Sequence, residues 1–281
     1  MITRLVDSHV HFWQPDKLHY AWLADLSLLN RPFGPADLAA EADGLPLEGI
    51  VFVQADCAAE DSMREVEWVS ALAAADPRVQ GIVAFAPLEQ SRVSHYLGDL
   101  RANPLVKGVR RLIQSERVDF AAQPEFVRGV RLLAEYGLSF DICIRHEQLP
   151  AVIALAGECP EVRFVLDHAG KPRIRDHLIE PWATNIRRLA EFPNVACKLS
   201  GLVTEADVAT WTPTDLQPYI DIVLEAFGPE RVMFGGDWPV VKLAAEYSRW
   251  AAAAEVALSG LTDTELDKLF YTNACRFYHL S

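Results

Sequence analysis

The chain alternates between two kinds of predicted element along its whole length. Eight short runs of apolar and β-branched residues recur within 281 residues, each followed by a helix-like stretch. The predicted strands cover residues 4–9, 49–54, 80–85, 107–112, 138–144, 163–168, 195–200 and 231–236. Predicted helices cover residues 62–75, 124–136, 181–192 and 219–227, and a capping box of Thr262 and Glu265 opens a last one. This pattern predicts an α/β protein with a (β/α)8 TIM barrel.

A doubly wound open sheet is the alternative with the same alternation. No G-x-G-x-x-G motif follows the first predicted strand, and polar residues follow many strands rather than one switch point. No repeat or linker interrupts the pattern, so we expect residues 1–281 to form a single barrel domain. The long first connection, residues 12–49, contains aromatic residues that predict an ordered loop over the barrel mouth.

Charge and composition exclude several classes of function. The formal net charge of −13 argues against general nucleic-acid or anionic-membrane binding. We find no apolar run of the roughly 18 to 20 residues that cross a bilayer, and no signal-peptide pattern at the start. Five scattered cysteines without C-x-x-C spacing argue against a disulfide framework. We expect a cytoplasmic protein, either monomer or homodimer.

Two histidines lie at the end of the first predicted strand. Alternate side chains of a strand share a face, so Asp7, His9 and His11 are expected to project the same way. Two imidazoles on one face can bind a metal ion or polarise a substrate oxygen. The alternative is a pair of unrelated histidines that are hydrogen-bonded to the main chain.

Other candidates end the sixth and eighth strands. Asp237 follows two glycines after the eighth strand, which lies beside the first strand in a closed barrel. We therefore expect Asp237 near the histidine pair, where a carboxylate stays ionised and acts as general base; an ordinary turn aspartate is the alternative. His168 and Asp167 differ in parity, which predicts one in the site and one supporting it.

Weaker candidates lie on the same rim. Arg110 and Arg111 point in opposite directions on the fourth strand, so one is expected to face inward and bind a substrate carboxylate or hydroxyls. Gln54 ends the second strand, and Lys171 lies on the loop after the sixth. Further candidates are Arg145, His146, Lys198, Ser200, and three tryptophans that form either pocket wall or core, Trp13, Trp22 and Trp238.

The combined motifs resemble the amidohydrolase superfamily and, within it, the sugar-lactonase group of the amidohydrolase-2 type. They are residues 6–13 (VDSHVHFW), 20–23 (YAWL), 53–55 (VQA), 107–111 (KGVRR), 166–172 (LDHAGKP), 198–201 (KLSG), 234–239 (FGGDWP) and 273–274 (NA). The D-x-H-x-H-F-W opening is the most specific of them.

The resemblance implies a (β/α)8 barrel enzyme that opens a sugar-acid lactone, such as L-fucono- or L-rhamnono-lactone. Alternatives are a lactonase for pyrone- or muconolactone-type dicarboxylates, a metal-dependent non-oxidative decarboxylase, and a non-catalytic binding protein. The implied catalytic residues, which are also the ligands of any metal ion, are His9, His11, His168 and Asp237. At most one divalent ion is expected, with zinc first, and a metal-independent reaction stays open. The expected substrate-binding residues are Gln54, Arg110, Arg111, Lys171 and Trp22.

Overall fold

A computed structural model describes residues 2–280 and contains eight parallel strands in sequential order. The strands are β1 (Leu5–Val10), β2 (Leu47–Val53), β3 (Val79–Phe85), β4 (Val106–Arg110), β5 (Ser139–Ile142), β6 (Phe164–Leu166), β7 (Val195–Leu199) and β8 (Val232–Phe234). The segment after β8 meets the end of β1, where the Asp237 N–H donates to the His9 carbonyl over 2.8 Å. The His11 N–H donates to the Trp238 carbonyl over 2.7 Å. The predicted (β/α)8 barrel is confirmed.

Helices separate the strands and cover the outside of the barrel. They are α1 (Pro35–Glu41), α2 (Ser62–Ala75), α3 (Val93–Arg101), α4 (Pro124–Tyr136), α5 (Leu149–Glu158), α6 (Trp182–Ala190), α7 (Leu202–Glu205), α8 (Pro213–Phe227), α9 (Tyr247–Ala257), α10 (Asp263–Asp267) and α11 (Asn273–Tyr278). The bounds predicted for α2 and α4 are confirmed, as is the capping box of Thr262 and Glu265. None of the helices in residues 2–280 is long and apolar enough to cross a membrane.

The predicted start of α8 at residue 219 is wrong. The helix begins six residues earlier, at Pro213. The Asp215 carboxylate accepts bonds from both the N–H and the hydroxyl of Thr212, each over 2.8 Å, which caps the first turn. Pro213 suits that first turn because its missing N–H needs no partner there. Pro218 inside the helix hid this earlier start in the sequence.

The barrel interior has an apolar layer at its amino-terminal end. It consists of strand residues, namely Val6, Val51, Val53, Val83, Val165, Ala196 and Met233, which Ala274 and Tyr278 of α11 cover from below. Each buried aliphatic side chain of this kind contributes about 1.5–3 kcal/mol to folding. Polar side chains occupy the interior nearer the carboxyl ends of the strands, so this layer forms the base of the candidate site.

The first connection is ordered and packs over the barrel mouth, as predicted. Trp13 and Phe33 pair as two antiparallel residues through main-chain bonds of 3.1 and 3.0 Å. The Trp22 indole N–H donates to the Ala55 carbonyl over 2.8 Å. The loop after β1 is thereby fixed to the loop after β2.

Glu65 of α2 gives this region a pH-dependent stability. Its Oε1 accepts bonds from the Ala55 N–H over 3.2 Å and the Tyr20 hydroxyl over 3.3 Å. Burial raises the pKa of Glu65 from 4.5 to about 7. Because the folded pKa exceeds the unfolded one, the folded state binds the proton more tightly, and Glu65 lowers the unfolding free energy as pH rises from 4.5 through about 7.

We expect Glu65→Gln to gain stability relative to the parent protein as pH rises. Gln keeps the Oε1 acceptor and cannot ionise, so the variant should gain up to about 3 kcal/mol between about pH 4 and about pH 8. Urea unfolding of both proteins at the two pH values measures this difference. An offset between them that stays the same at both pH values would contradict the raised pKa.

Candidate active site

A bulge in β1 sets the direction of its polar side chains. Asp7 pairs with Ile50 and Val10 pairs with Phe52, so β1 advances three residues while β2 advances two. The Asp7 carboxylate accepts bonds from the Gly236 N–H over 2.8 Å and the Tyr247 hydroxyl over 2.9 Å. The histidine pair faces other groups, inside the barrel. The expectation that Asp7 projects with the two histidines is therefore wrong, because the extra residue changes the alternation.

Asp237 lies against the histidine pair at the junction of β8 and β1. Its backbone is left-handed, with φ of 53°. Only a glycine fits at the preceding position, because a Cβ on Gly236 would lie 2.3 Å from the Tyr247 ring. Asp237 Oδ1 is 3.4 Å from His11 Nε2 and 3.7 Å from His9 Nε2. The structure thus brings together residues that are more than 200 positions apart in the chain.

His168, at the end of β6, is the fourth member of a group that also contains His9, His11 and Asp237. Its φ of 55° turns the side chain toward the barrel axis. His168 Nδ1 lies 2.9 Å from Ser200 Oγ and 4.0 Å from Asp237 Oδ2. Gly201 has φ of 61°, and a Cβ there would lie 2.6 Å from His168 Nδ1. The ring of His168 therefore depends on a glycine at the end of β7, and its centroid is 4.5 Å from that of His9.

A buried charge network lies beneath the three imidazoles. Lys198 Nζ is 2.6 Å from Asp141 Oδ2 and 3.1 Å from Asp167 Oδ1, and all three side chains are fully buried. The Tyr278 hydroxyl donates to Asp141 Oδ2 over 2.6 Å. Arg110 Nη1 is 3.4 Å from Asp167 Oδ2. Two cations thus balance two carboxylates that would otherwise be costly to bury.

The neighbours of His9 determine which ring nitrogen carries its proton. Nε2 is 3.3 Å from Arg110 Nη1, and a guanidinium only donates, so Nε2 accepts. Nδ1 is 3.2 Å from Asp167 Oδ1, an acceptor that Lys198 Nζ also approaches to 3.1 Å, and a neutral imidazole whose Nε2 accepts carries its one proton on Nδ1. Nδ1 is also 3.2 Å from Lys198 Nζ, whose hydrogens have two carboxylates as acceptors. We therefore assign the proton to Nδ1, which donates it to Asp167.

The electrostatics of the group favour neutral imidazoles beside ionised carboxylates. Burial lowers the pKa of His9 and of His168 well below the ordinary histidine value. Burial raises the pKa of Asp167, but the Lys198 charge and His9 outweigh it and hold that pKa well below its usual range. Burial also raises the pKa of Asp237, but the neighbouring His168 and His11 outweigh burial and lower that pKa below its usual value. Asp237 is therefore ionised at neutral pH.

A cavity of about 510 Å³ opens above this group, within the range of small-molecule sites. His11, His168 and Asp237 line its floor, whereas His9 lies beneath and is fully buried. Its walls combine apolar and charged side chains, including Trp22, Leu26, Leu112, Val240, Leu243, Asp56, Arg110, Arg145 and Lys171. The cavity therefore offers both apolar surface and charge to a ligand.

Two of the expected substrate-binding side chains do not face the cavity. Arg111 points the opposite way from Arg110, as expected for adjacent residues, and forms ion pairs with Glu89 at 2.9 Å and Glu116 at 2.7 Å. The Gln54 side chain is buried, and its Oε1 accepts the Asp56 N–H over 2.6 Å. The expectation that these two side chains bind substrate is therefore corrected. Arg111 joins the loops that contain Glu89 and Glu116, and Gln54 stabilises the turn at Asp56.

The remaining expected residues divide between cavity and support. Trp22, Lys171 and Arg145 line the cavity, and Lys171 Nζ donates to Gln114 Oε1. Trp13 and Trp238 are fully buried and each packs edge-on against Phe33. Trp13 and Trp238 are therefore core residues, whereas Trp22 is part of the cavity wall.

Several residues of the site were not anticipated from the sequence. Asp56, Gln114 and Cys143 line the cavity. Asp141 carried a usable signal, because a lone carboxylate inside an apolar strand is rarely buried without a partner. Tyr278 carried none, because it lies 137 residues from the Asp141 that it contacts.

Three residues of the group offer suitable atoms to a divalent ion. His9, His168 and Asp237 are buried, and their ligand atoms lie within 4.8 Å of one another. Imidazole and carboxylate are ligands that zinc accepts in proteins. His11 is adjacent: its Nδ1 lies 2.7 Å from the Val53 carbonyl, which can only accept, so Nδ1 carries a proton and Nε2 faces Asp237. The donor set therefore fits a metal ion.

Comparison with known proteins gives a family model and a relative that match nearly the whole chain, and a second relative that matches most of it. The model of the amidohydrolase family matches residues 6–280. An L-fucono-1,5-lactonase of Burkholderia multivorans is 33% identical over 98% of this chain and 96% of its own. An L-rhamnono-gamma-lactonase of Scheffersomyces stipitis is 28% identical over 72% of this chain and 69% of its own.

Solved structures match equally well. The crystal structure of an amidohydrolase from Burkholderia multivorans with bound zinc superposes with a TM-score of 0.90 at 33% identity. The match covers 99% of this chain and 100% of that one. The family model and a relative above 30% identity both extend along almost the entire sequence. We conclude that the chain belongs to the amidohydrolase family.

Proposed function

We propose that this protein is a lactonase that opens the ring of a sugar-acid lactone by attack of water on the lactone carbonyl. The observation that carries the proposal is the Asp237 carboxylate on the floor of a small-molecule cavity, with a nitrogen of each of three imidazoles within 4.0 Å of it. The 33% identical L-fucono-1,5-lactonase supports a neutral 1,5-lactone of a deoxy sugar acid as the substrate.

Asp237 and His11 position and activate the attacking water. His11 Nε2 and Asp237 Oδ1 are both acceptors and lie 3.4 Å apart, so one water molecule can donate a hydrogen to each. The remaining lone pairs of this water point toward the cavity. Asp237 takes the proton as the new C–O bond forms, and returns it to the ring oxygen when the lactone C–O bond breaks.

His168 and Arg110 stabilise the negative charge that develops on the carbonyl oxygen. Ser200 Oγ lies 3.3 Å from the His168 main-chain N–H and 2.9 Å from Nδ1. If Oγ accepts from the first, its own hydrogen goes to Nδ1, and His168 carries its proton on Nε2. That N–H and the Arg110 guanidinium are then donors on the cavity side. Preorganised donors of this kind commonly supply the largest share of rate enhancement in acyl transfer.

A metal ion is compatible with the same residues. His9, His168 and Asp237 would hold it, and we expect zinc because of the donor types. When bound, such an ion supplies Lewis-acid polarisation of the carbonyl.

A dicarboxylate lactone is the second candidate substrate. Arg145 and Lys171 bring two positive charges to the cavity wall, which would suit a carboxylate-bearing ligand.

We expect Lys171→Met to raise KM about tenfold for a dicarboxylate lactone, because a charged hydrogen bond is lost. The rise for a neutral sugar lactone should be smaller, since only a hydroxyl contact is lost. Initial rates over a concentration series of each lactone measure both values, and an equal rise for both would remove Lys171 from carboxylate recognition.

A proton-release assay over a panel of lactones tests the proposed function. The panel contains sugar-acid 1,5- and 1,4-lactones, pyrone and muconolactone dicarboxylates, and dihydroxybenzoates as decarboxylase substrates. We expect sugar-acid lactones to open well above the spontaneous rate. Carbon dioxide release from the aromatic acids would instead favour a decarboxylase, and binding without turnover would favour a non-catalytic protein.

A further inference from the structure

We propose that the Arg110 guanidinium and a divalent cation exclude one another at His9 Nε2, so that Arg110 sets how tightly this chain binds metal. The inference goes beyond the lactonase proposal, because it concerns affinity for an ion and holds for any substrate. It rests on the contacts of Arg110, on the position of the His9 proton and on the local charge.

Arg110 reaches the imidazole group from β4. Nη1 lies 3.3 Å from His9 Nε2 and 3.4 Å from Asp167 Oδ2, and Nη2 donates to the Gln54 carbonyl. Its Nε is buried and has no hydrogen-bond partner in the described part of the chain. The guanidinium therefore makes one firm bond, to a main-chain carbonyl, and two long ones in the site.

His9 has one lone pair to offer. Its Nδ1 carries the proton and lies 3.2 Å from Asp167 Oδ1, which leaves the lone pair on Nε2, where Arg110 donates. Metal ligation by a neutral imidazole uses this lone pair, and so does the hydrogen bond from Arg110. One atom cannot serve both partners at once, so a metal ion that uses His9 must displace the guanidinium.

Charge strengthens this exclusion. Arg110 already neutralises part of the Asp167 charge, and a divalent ion beside a guanidinium would meet strong repulsion in a buried site. Displacement is nevertheless feasible, because Arg110 lines the open cavity and its contacts of 3.3 and 3.4 Å exceed the usual charge-assisted length. The position beside His9 Nε2 therefore holds one cation in each state, either the guanidinium or the metal ion, while Lys198 stays on the Nδ1 side.

Zinc titration of the metal-free protein tests the inference directly. Zn²⁺ is titrated calorimetrically into chelator-treated parent protein, Arg110→Met and Lys171→Met. We expect Arg110→Met to bind zinc about tenfold more tightly or better, a usual size for coupling between competing ligands. Lys171→Met is the matched control, because it removes the same charge from the same cavity without touching His9. It should change zinc affinity about threefold or less.

Two results would overturn the inference. One is unchanged or weaker zinc binding by Arg110→Met; the other is an equal gain in Lys171→Met, which would assign the effect to general charge. If Arg110→Met does not fold, Arg110→Gln replaces it, because a glutamine amide can still donate to a carbonyl. Co²⁺ absorption titrations of the same variants provide a second readout: half-saturation should come at a lower Co²⁺ concentration in the Arg110 variants and should stay near the parent value in Lys171→Met. None of these measurements uses a lactone, so they succeed or fail independently of the proposed reaction.

Discussion

Replacing Asp237 with asparagine should lower kcat for lactone opening by about 10²- to 10⁴-fold, the usual contribution of a positioned general base. Asparagine has nearly the same size and keeps an acceptor oxygen at the position of Oδ1. It cannot take a proton from water, however, and cannot return one to the ring oxygen. The neighbouring His168 and His11 keep the pKa of Asp237 below its usual value, so the parent side chain is in the active form at neutral pH.

The control for this experiment is Asp56→Asn. Asp56 also lines the cavity and also has a left-handed backbone, with φ of 57°. No imidazole lies within ion-pair distance of it among residues 2–280. We expect its loss of kcat to stay below about tenfold. Unfolding temperatures within a few degrees of the parent protein would establish that both variants fold, and near-parental kcat in Asp237→Asn would remove Asp237 from the role of base.

The second large effect is expected from Lys198→Met. The ammonium is fully buried and lies 2.6 Å from Asp141 and 3.1 Å from Asp167. Removing one partner of a buried ion pair leaves uncompensated charge, which typically destabilises by about 3–5 kcal/mol. We expect a loss of this size in urea unfolding at neutral pH. A loss below about 1 kcal/mol would mean that the network contributes no more than a surface ion pair.

A double variant separates lost charge pairing from lost packing. Asp141→Asn keeps an oxygen that can accept the Tyr278 hydroxyl, and it removes one of the two carboxylates. Lys198→Met combined with Asp141→Asn should therefore be more stable than Lys198→Met alone. Strictly additive losses in the two single variants would instead show that Lys198 and Asp141 do not interact energetically.

The barrel and much of its site could be predicted from the sequence, for a physical reason. The alternation of strands and helices predicts the closed barrel, and closure brings the end of β8 to the end of β1. That relation predicts Asp237 beside His9 and His11 without any contact information.

Local irregularities limited the rest of the prediction. The expected face of Asp7 assumed regular alternation, and a one-residue bulge reverses it. The expected role of Gln54 assumed that a residue at a strand end faces the cavity, yet its side chain bonds to the main chain of Asp56. Which of the two strand-four arginines faces inward depends on the strand register, which sequence alone leaves open.

Long-range polar contacts were the other limit. The network of Tyr278, Asp141, Lys198 and Asp167 joins four distant segments, and no single segment predicts its partner. The contact between Arg110 and His9 is of the same kind, since it links β4 to β1 across the barrel interior.

A single turnover in ¹⁸O-labelled water tests the central claim most directly. Excess enzyme opens a sugar-acid 1,5-lactone, and mass spectrometry locates the label in the product after subtraction of the spontaneous reaction. Water activated by Asp237 and directed at the carbonyl carbon predicts one solvent oxygen in the new carboxylate and none in the released hydroxyl. Label in that hydroxyl, or no enzyme-dependent opening of any sugar-acid lactone, would contradict the account.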